Sequence, residues 1–355
     1  MTMMEKIQMA KRIAVYGAQA TACGVVLSLI VAFKRVPEAV IVSDMSGNPE
    51  EIFGVSVIPI ENAQNLKDCL ILVATPIYVH NEIMETLYAN GFQTIIPIAN
   101  ELEYEIMAAY YRGATRFDLL EDIPQSGGTP DIGIFRVCSA RDAIVKEALL
   151  THMREFVTNI QAGAAISGHM PGVLTDDVGE NISERNSRYS ELTATYWVWK
   201  HVTTAFKGIY HYRRLLHLTE ADLLRLNHLD AVLPLPMVKY PNASAQFKRY
   251  ISNDTFEVIM GLLKSRNDDY YAFAHQYWYE PYLYNYNMLI ARAQVFDDYC
   301  SFLFDILFKV EHYFDSRRIP KQERYIGYIG EILTSLYFMA NSHLKIGHTR
   351  RTNLI

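Results

Sequence analysis

Cysteine is scarce in this chain of 355 residues: Cys23, Cys69, Cys138 and Cys300 lie far apart, with no Cys-x-x-Cys pair among them. That spacing argues against a zinc ribbon and a disulfide framework and fits a reducing cytoplasm. A basic excess is missing as well, since 33 Lys and Arg stand against 39 Asp and Glu for a formal charge of -6. Nucleic-acid binders usually carry a basic footprint, so none is expected as a partner and any anion site must be local. The longest apolar run, Thr21 to Phe33, falls short of the ~20 residues needed to span a bilayer. The opening "MTMMEKIQMAKR" leads into a short strand and has no apolar core with a cleavage site, so it does not read as a signal peptide. The expectation is a soluble cytoplasmic chain, with a peripheral place at the inner face of the membrane left open. Internal repeats and low-complexity tracts are absent too.

Half of the residues are apolar, and the length is enough for two cores. The first hundred residues alternate between short apolar runs and helical patterns. "RIAVYG" (12–17), "AVIVSD" (39–44), "VSVIPI" (55–60), "CLILVATP" (69–76) and "QTIIPI" (93–98) read as strands. Residues 18–34, 79–91 and about 101–120 read as helices. Continuous apolar strands separated by helices imply a parallel sheet covered on both faces, a Rossmann-like unit of the α/β class. "DIPQSGGTPD" (122–131) interrupts the pattern with Pro124, Gly127, Gly128 and Pro130, which marks a domain boundary. Residues 1–122 are thus expected as a Rossmann-like accessory domain and 131–355 as a second α/β domain.

Glycine is missing where a dinucleotide fingerprint needs it. After the first strand the chain runs Gly17, Ala18, Gln19, Ala20, Thr21, Ala22, and the position that should let backbone approach a pyrophosphate is Gln19. Gly17 remains in place, and Asp44 ends the second strand where an acid could accept a ribose hydroxyl. A fold of nucleotide-binding type that binds nothing, or something other than NAD, is favoured over an NAD(P)-binding oxidoreductase or nucleotide sensor, which stays as the alternative.

The second part lacks Asp-x-Asp anywhere. Glu220 and Asp222 come nearest, but Thr219 before them reads as a helix cap and the two acids as first-turn residues. In "DDVGENISERNSRYSELTATYWVWKH" (176–201) a polar loop feeds a helix from about Arg188. "GIYHYRRLLHL" (208–218) then reads as a buried strand ending at Arg213 and Arg214. Adjacent guanidiniums can hold phosphate oxygens bidentately, or can pair with surface carboxylates. Their place behind an apolar strand favours the first.

These stretches, with "LDAVLP" (229–234), "YNYNMLIARAQVFDDYCSFLFDIL" (284–307) and "RYIGYIGEILTSLYF" (324–338), resemble in order the blocks of a bacterial family first known as a domain of unknown function. Its members are described as glycosyltransferases of capsular or exopolysaccharide synthesis, and the resemblance covers nearly all of residues 131–345. It implies a GT-A-like fold and a hexosyltransferase type of activity on a nucleotide-sugar donor, with a uridine diphosphate sugar as first choice and a glycan or lipid-linked acceptor. It places Asn181, Ser183, Asn186, Glu191, Thr193, Tyr196, Trp197, His211, Tyr212, Arg213, Arg214, Asn287, Arg324, Gly327 and Glu331 at the family's motif positions. Two departures stand out: "CSARD" (138–142) replaces a Thr-His-Lys type of stretch, and Ile332 follows Glu331 where the family tends to have Arg.

With arginines where metal-holding carboxylates would be, no divalent metal and no tightly held cofactor are expected. Asn181, Asn186, Glu191, Tyr212, Arg213, Arg214, Asn287 and Arg324 are expected to bind the donor. His211 is expected beside the phosphates, since an imidazole ordinarily titrates near working pH. Glu331 and Glu280 are the candidates for general base. Glu191 has a plainer alternative, an ion pair with Arg188 or near Lys200. The aromatic cluster around Glu280, "HQYWYEPYLYNYNM" (275–288), suits sugar stacking and core packing equally.

Overall fold

A computed structural model describes residues 1–114, 116–140, 142, 156–266, 269–284 and 286–353. Arg141 of "CSARD" and Asn285 of the aromatic cluster fall outside these residues. Within them the chain forms an α/β structure built on two large sheets.

The first sheet contains β1 (Ile13–Tyr16), β2 (Val40–Val42), β3 (Glu51–Ile52), β4 (Val55–Pro59), β5 (Leu70–Val73) and β6 (Ile95–Pro97). Its order is β3-β4-β2-β1-β5-β6, parallel throughout except for the β3–β4 pair. Every residue of β1, β2 and β5 is buried, as expected of parallel strands covered on both faces. The chain steps outward from β1 through β2 to β4 and then returns to β5 on the other side. The order therefore reverses beside β1, the place where such sheets open a crevice. Gly17, at φ +110°, leaves β1 so close to β5 that an added Cβ would lie 2.8 Å from Thr75 Cγ2 and 2.9 Å from the Ala74 carbonyl.

The second sheet holds β7 (Asp118–Leu119), β8 (Ile132–Cys138), β9 (Val157–Gln161), β10 (Leu174–Thr175), β11 (Phe206–His211), β12 (Arg214–Leu216), β13 (Ala231–Pro234), β16 (Leu289–Arg292), β17 (Ile346–Thr349) and β18 (Arg351–Asn353), while β14 (Met237–Val238) and β15 (Tyr282–Leu283) pair separately. Its main order is β10-β9-β8-β11-β16-β13-β17-β7, and β12 bridges β11 and β18. Strand β16 runs against both neighbours, whereas β10, β9, β8 and β11 are mutually parallel. Gly208 lets β11 nest between its neighbours, because a Cβ there would meet Ile290 at 2.9 Å and Ile134 at 3.1 Å.

Four details depart from the sequence expectation. The edge strand β7 joins the second sheet through β17 although it precedes residue 122. The helix expected over 101–120 ends at Ala114. The helix expected from Arg188 is broken: Asn186–Tyr189 forms one turn, Ser190 takes φ +51°, and Leu192–His201 follows. The strand expected to end at the arginines stops at His211; Tyr212 and Arg213 make a two-residue turn, and Arg214 pairs back with His211. Thr219 caps its helix in a capping box with Asp222, as expected.

One apolar cluster runs from Val15, Leu29 and Tyr111 beside the first sheet into Val238, Leu283 and Met339 beside the second. Tyr111 adds a hydrogen bond to the Pro236 carbonyl at 2.6 Å. No helix among the described residues is long and apolar enough to cross a membrane.

Candidate active site

The carboxyl ends of β8 and β11 open into a cleft of about 450 Å³. Val137 to Ala140 and Asp142 form one wall, His211 and Tyr212 another, and Asn186, Glu191 and Arg324 close it from the helical side. Five expected residues meet here: Asn186, Glu191, His211, Tyr212 and Arg324. Arg213 completes the hairpin turn and Arg214 opens β12, both beside the cleft rather than in its lining. The Arg214 guanidinium stands 4.0 Å from the ring centre of Tyr286, which also faces Arg351 at 5.3 Å. An aromatic face so placed holds a partly buried cation without neutralising it.

The electrostatics of the cleft are one-sided. Burial, followed by the charges of Arg214, Arg213 and Arg324, pushes His211 down to about 3. The imidazole is therefore neutral at physiological pH, which corrects the expectation of a titrating histidine. Its Nδ1 and the Nε of Arg213 are buried without a hydrogen-bond partner. None of Arg213, Arg214 and Arg324 forms an ion pair with a carboxylate among the described residues. Arg213 acts electrostatically on Asp142, whose carboxylate accepts from the amide of Ser139 at 2.6 Å and from its hydroxyl at 3.0 Å.

Glu191 lies just after the left-handed Ser190 and reaches Asn287, whose amide donates to it at 2.8 Å. Asn287 is 1 % exposed, adopts φ +49°, and accepts from the Thr334 hydroxyl at 3.0 Å. It is a positioning residue, buried behind the cleft wall. Gly330 makes room for it, because a Cβ there would lie 2.7 Å from Leu192 and 3.3 Å from the Asn287 amide nitrogen. Burial raises the Glu191 carboxyl, opposed by Asn287, Arg324 and Arg214. Glu331, on the helix Tyr325–Ala340, is raised to about 7 by burial and then by the charge of Glu191; the Tyr286 backbone, Lys239 and Arg214 oppose the rise. The two carboxyls thus form an interacting pair, with Glu191 on the cleft and Glu331 behind it.

Other expected residues are spent on shaping the chain. Asn181 donates to the carbonyls of Asp177 and Gly179 and accepts from the Ser183 amide. Ser183 bonds the buried Asp176, which also takes the amides of Gly163 and Ala164. Asn186, although on the cleft, donates to the Ser190 carbonyl and to Thr193. Tyr196 donates to Glu180, and Trp197 to the Val178 carbonyl. Gly327 lies beside Ser190 at a distance where an added Cβ would make an ordinary contact, 3.4 Å from its hydroxyl. Arg188 pairs with Glu311 and Asp315, and Lys200 with Glu180, so neither takes Glu191 as its partner.

Glu280 is not on this cleft. It binds Arg116 at 2.5 Å, just ahead of β7 at the opposite edge of the sheet, and its carbonyl accepts from the Ala243 amide. A carboxylate so paired has no route to the β8–β11 cleft. In the first sheet Asp44 is exposed and accepts from the Ser46 amide at 2.7 Å, closing its own turn.

Tyr286, Arg351 and Asp142 escaped the sequence reading. The Arg350–Arg351 pair repeats the Arg213–Arg214 signal and could have drawn attention; a tyrosine in an aromatic run carries no such mark. Among the described residues no group of three or more His, Cys, Asp or Glu side chains is placed to hold a metal ion.

No curated protein matches the chain. Among solved structures it is similar to the apo structure of WbbM, a bifunctional glycosyltransferase, with a TM-score of 0.54 and 22% identity over 63% of this chain and 45% of that one. The match spans under half of that larger chain, and at this identity it is a likeness of fold. The family model of a domain of unknown function, DUF4422, matches residues 145–342, more than half of the sequence, and the chain belongs to that family.

Proposed function

We propose that the protein transfers a sugar from a nucleotide-sugar donor, a uridine diphosphate sugar in the first instance, to a glycan or lipid-linked acceptor of bacterial surface polysaccharide. The observation that carries the reading is the group of three guanidiniums, Arg213, Arg214 and Arg324, acting on one neutral imidazole beside a cleft with no carboxylate paired to any of them. Arg213 and Arg214 are partly buried cations with no paired carboxylate among the described residues, a costly arrangement, and Arg324 at the exposed rim donates to the Ser190 hydroxyl at 3.1 Å; a diphosphate is the kind of dianion that completes them.

In the reaction the acceptor hydroxyl oxygen attacks the anomeric carbon, and the carbon–oxygen bond to the diphosphate breaks with its electron pair going to the diphosphate. Arg213, Arg214 and Arg324 stabilise that developing charge. Neutral His211 offers a hydrogen bond without adding a fourth positive charge. Glu191 accepts the acceptor's proton, and Glu331, titrating near 7, is poised behind it as the second carboxyl of the pair. Asn287 orients Glu191.

The test is donor turnover across a panel of nucleotide sugars, with and without chelator. Arg213→Ala and Arg214→Ala should each lower kcat/KM by roughly 10–100-fold, the worth of a charge-assisted hydrogen bond. Wild-type protein that neither binds nor turns over any donor, or arginine variants with unchanged kcat/KM, would remove the reading.

A further inference from the structure

A second cleft, of about 280 Å³, lies at the carboxyl ends of β1 and β2 in the first sheet. Ala18 to Ala20 after β1 and Gly47 to Pro49 after β2 form one side; Lys239 to Pro241, Gln246 and Arg249 form the other. It shares no lining residue with the β8–β11 cleft. The helix Ala20–Val31 begins here with Gln19 as its N-cap, and no side chain caps its first amides. Those N–H groups and the helix dipole favour an anion.

Lys239 supplies the independent observation. It is 8 % exposed and lines this cleft, and its ammonium has no hydrogen-bond partner among the described residues. Arg249 reaches in from the rim and donates to the Gln19 side chain at 3.1 Å, while Gln19 donates onward to Asn48 at 3.2 Å. No acidic residue lines the cleft. Gln19 occupies the place where a glycine would admit a pyrophosphate to the backbone, and the volume lies just under the roughly 300–1,000 Å³ of ligand pockets in general. A compact ligand fits these limits better than a dinucleotide does.

We propose that this inter-sheet cleft is a binding site for a phosphate group, free or carried as the monoester of a sugar or nucleoside, held by Lys239, Arg249 and the first amides of the helix Ala20–Val31. The phosphate oxygens take the ammonium of Lys239, which has no hydrogen-bond partner among the described residues. Gln19 and Asn48 close over the ligand from the rim. This site would recognise a phosphorylated small molecule distinct from the donor held by Arg213 and Arg214, so its existence does not depend on the transferase reading.

Calorimetric titration of the full chain carrying Arg213→Ala and Arg214→Ala, which removes two of the three guanidiniums at the other cleft, tests the proposal with three probes: inorganic phosphate, a hexose 1-phosphate and uridine monophosphate. Saturable binding of at least one is expected, and the tightest of the three identifies what carries the phosphate. Lys239→Met, which keeps the volume and removes the charge, should weaken that binding by about tenfold or more, and Arg249→Gln at the exposed rim should weaken it several-fold. The rim variant carries the test if the buried one fails to fold. Absence of binding by all three probes, or equal affinity in folded variants, would overturn it.

Discussion

Replacing Glu331 by Gln should make the protein more stable at alkaline pH and change little in acid. The carboxyl is raised from 4.5 to about 7, first by burial and second by Glu191. A carboxyl whose proton is held more tightly in the folded chain than in the unfolded one contributes stability below the unfolded value of 4.5. That contribution is lost as pH rises through about 7. The full difference corresponds to about 3 kcal/mol, at ~1.4 kcal/mol for each tenfold change in the proton equilibrium. Gln keeps the shape and the hydrogen-bonding capacity but never ionises. Denaturant unfolding of wild type and Glu331→Gln should therefore give nearly equal stabilities at pH 4.5, with the variant ahead by about 2–3 kcal/mol at pH 8.5. The difference between the two proteins reads this group together with its effect on Glu191, the carboxyl it interacts with. An equal stability difference at both pH values, or a variant less stable at pH 8.5 than wild type, would refute the assignment of a buried, proton-holding carboxyl behind Glu191.

Two further substitutions probe the frames of the two clefts. Asn287→Ala removes the donor to Glu191 and the acceptor of Thr334; a loss of about 1–3 kcal/mol is expected for the stranded partners. If the residue positions Glu191, the pH profile of turnover should also move to higher pH, because the carboxylate loses a hydrogen bond that favours its charged form; an unmoved profile would leave it a packing residue only. Gly17→Ala would place a Cβ 2.8 Å from Thr75 and force φ +110° on a chiral residue, so thermal unfolding should come several degrees earlier. An unchanged melting temperature would contradict the close approach of β1 to β5.

Strands β1, β2 and β5 of the first sheet were legible because burial on both faces writes them as unbroken apolar runs; β4 and β6 are only partly buried, yet all five fall inside the stretches expected for them. The hairpin at Tyr212–Arg213 was not, because it carries no Gly, Asn or Asp to announce a turn, so β11 and β12 read as one strand. Ser190 hides the break before Leu192–His201 in the same way, since a left-handed serine leaves no mark in the sequence. Polar residues in the loop at 181–186 suggested ligand binding, yet Asn181 and Ser183 satisfy their own backbone and Asp176. Short amides and hydroxyls serve loops this way as a matter of course. Glu280 failed for a different reason: its partner Arg116 lies 164 positions away, and pairing across that distance depends on the closed fold.

What separates Arg213, Arg214 and Arg324 from the arginines that pair within the fold is the company they keep. Arg185 and Arg188 lie in the same loop-and-helix segment as Glu191, and both are satisfied by Glu311, which also accepts from Tyr189 at 3.0 Å. The chain therefore has the means to neutralise guanidiniums in this region and does so on the outer side. Around the cleft it does the reverse: among the described residues Arg213, Arg214 and Arg324 pair with no carboxylate, Arg214 rests on an aromatic face, and His211 is held neutral by burial first and then by the charges of the three arginines. Leaving the partly buried Arg213 and Arg214 without a carboxylate costs stability, which the Tyr286 face offsets in part for Arg214. The same logic applies to Lys239, whose ammonium feels the charge of Glu331 but has no hydrogen-bond partner among the described residues and stands beside a helix end without a side-chain cap, while Lys207, also buried, binds Asp297 at 2.7 Å. Positive charge left open at two separate crevices, in a chain that is acidic overall, is best explained by two anionic groups that arrive from outside.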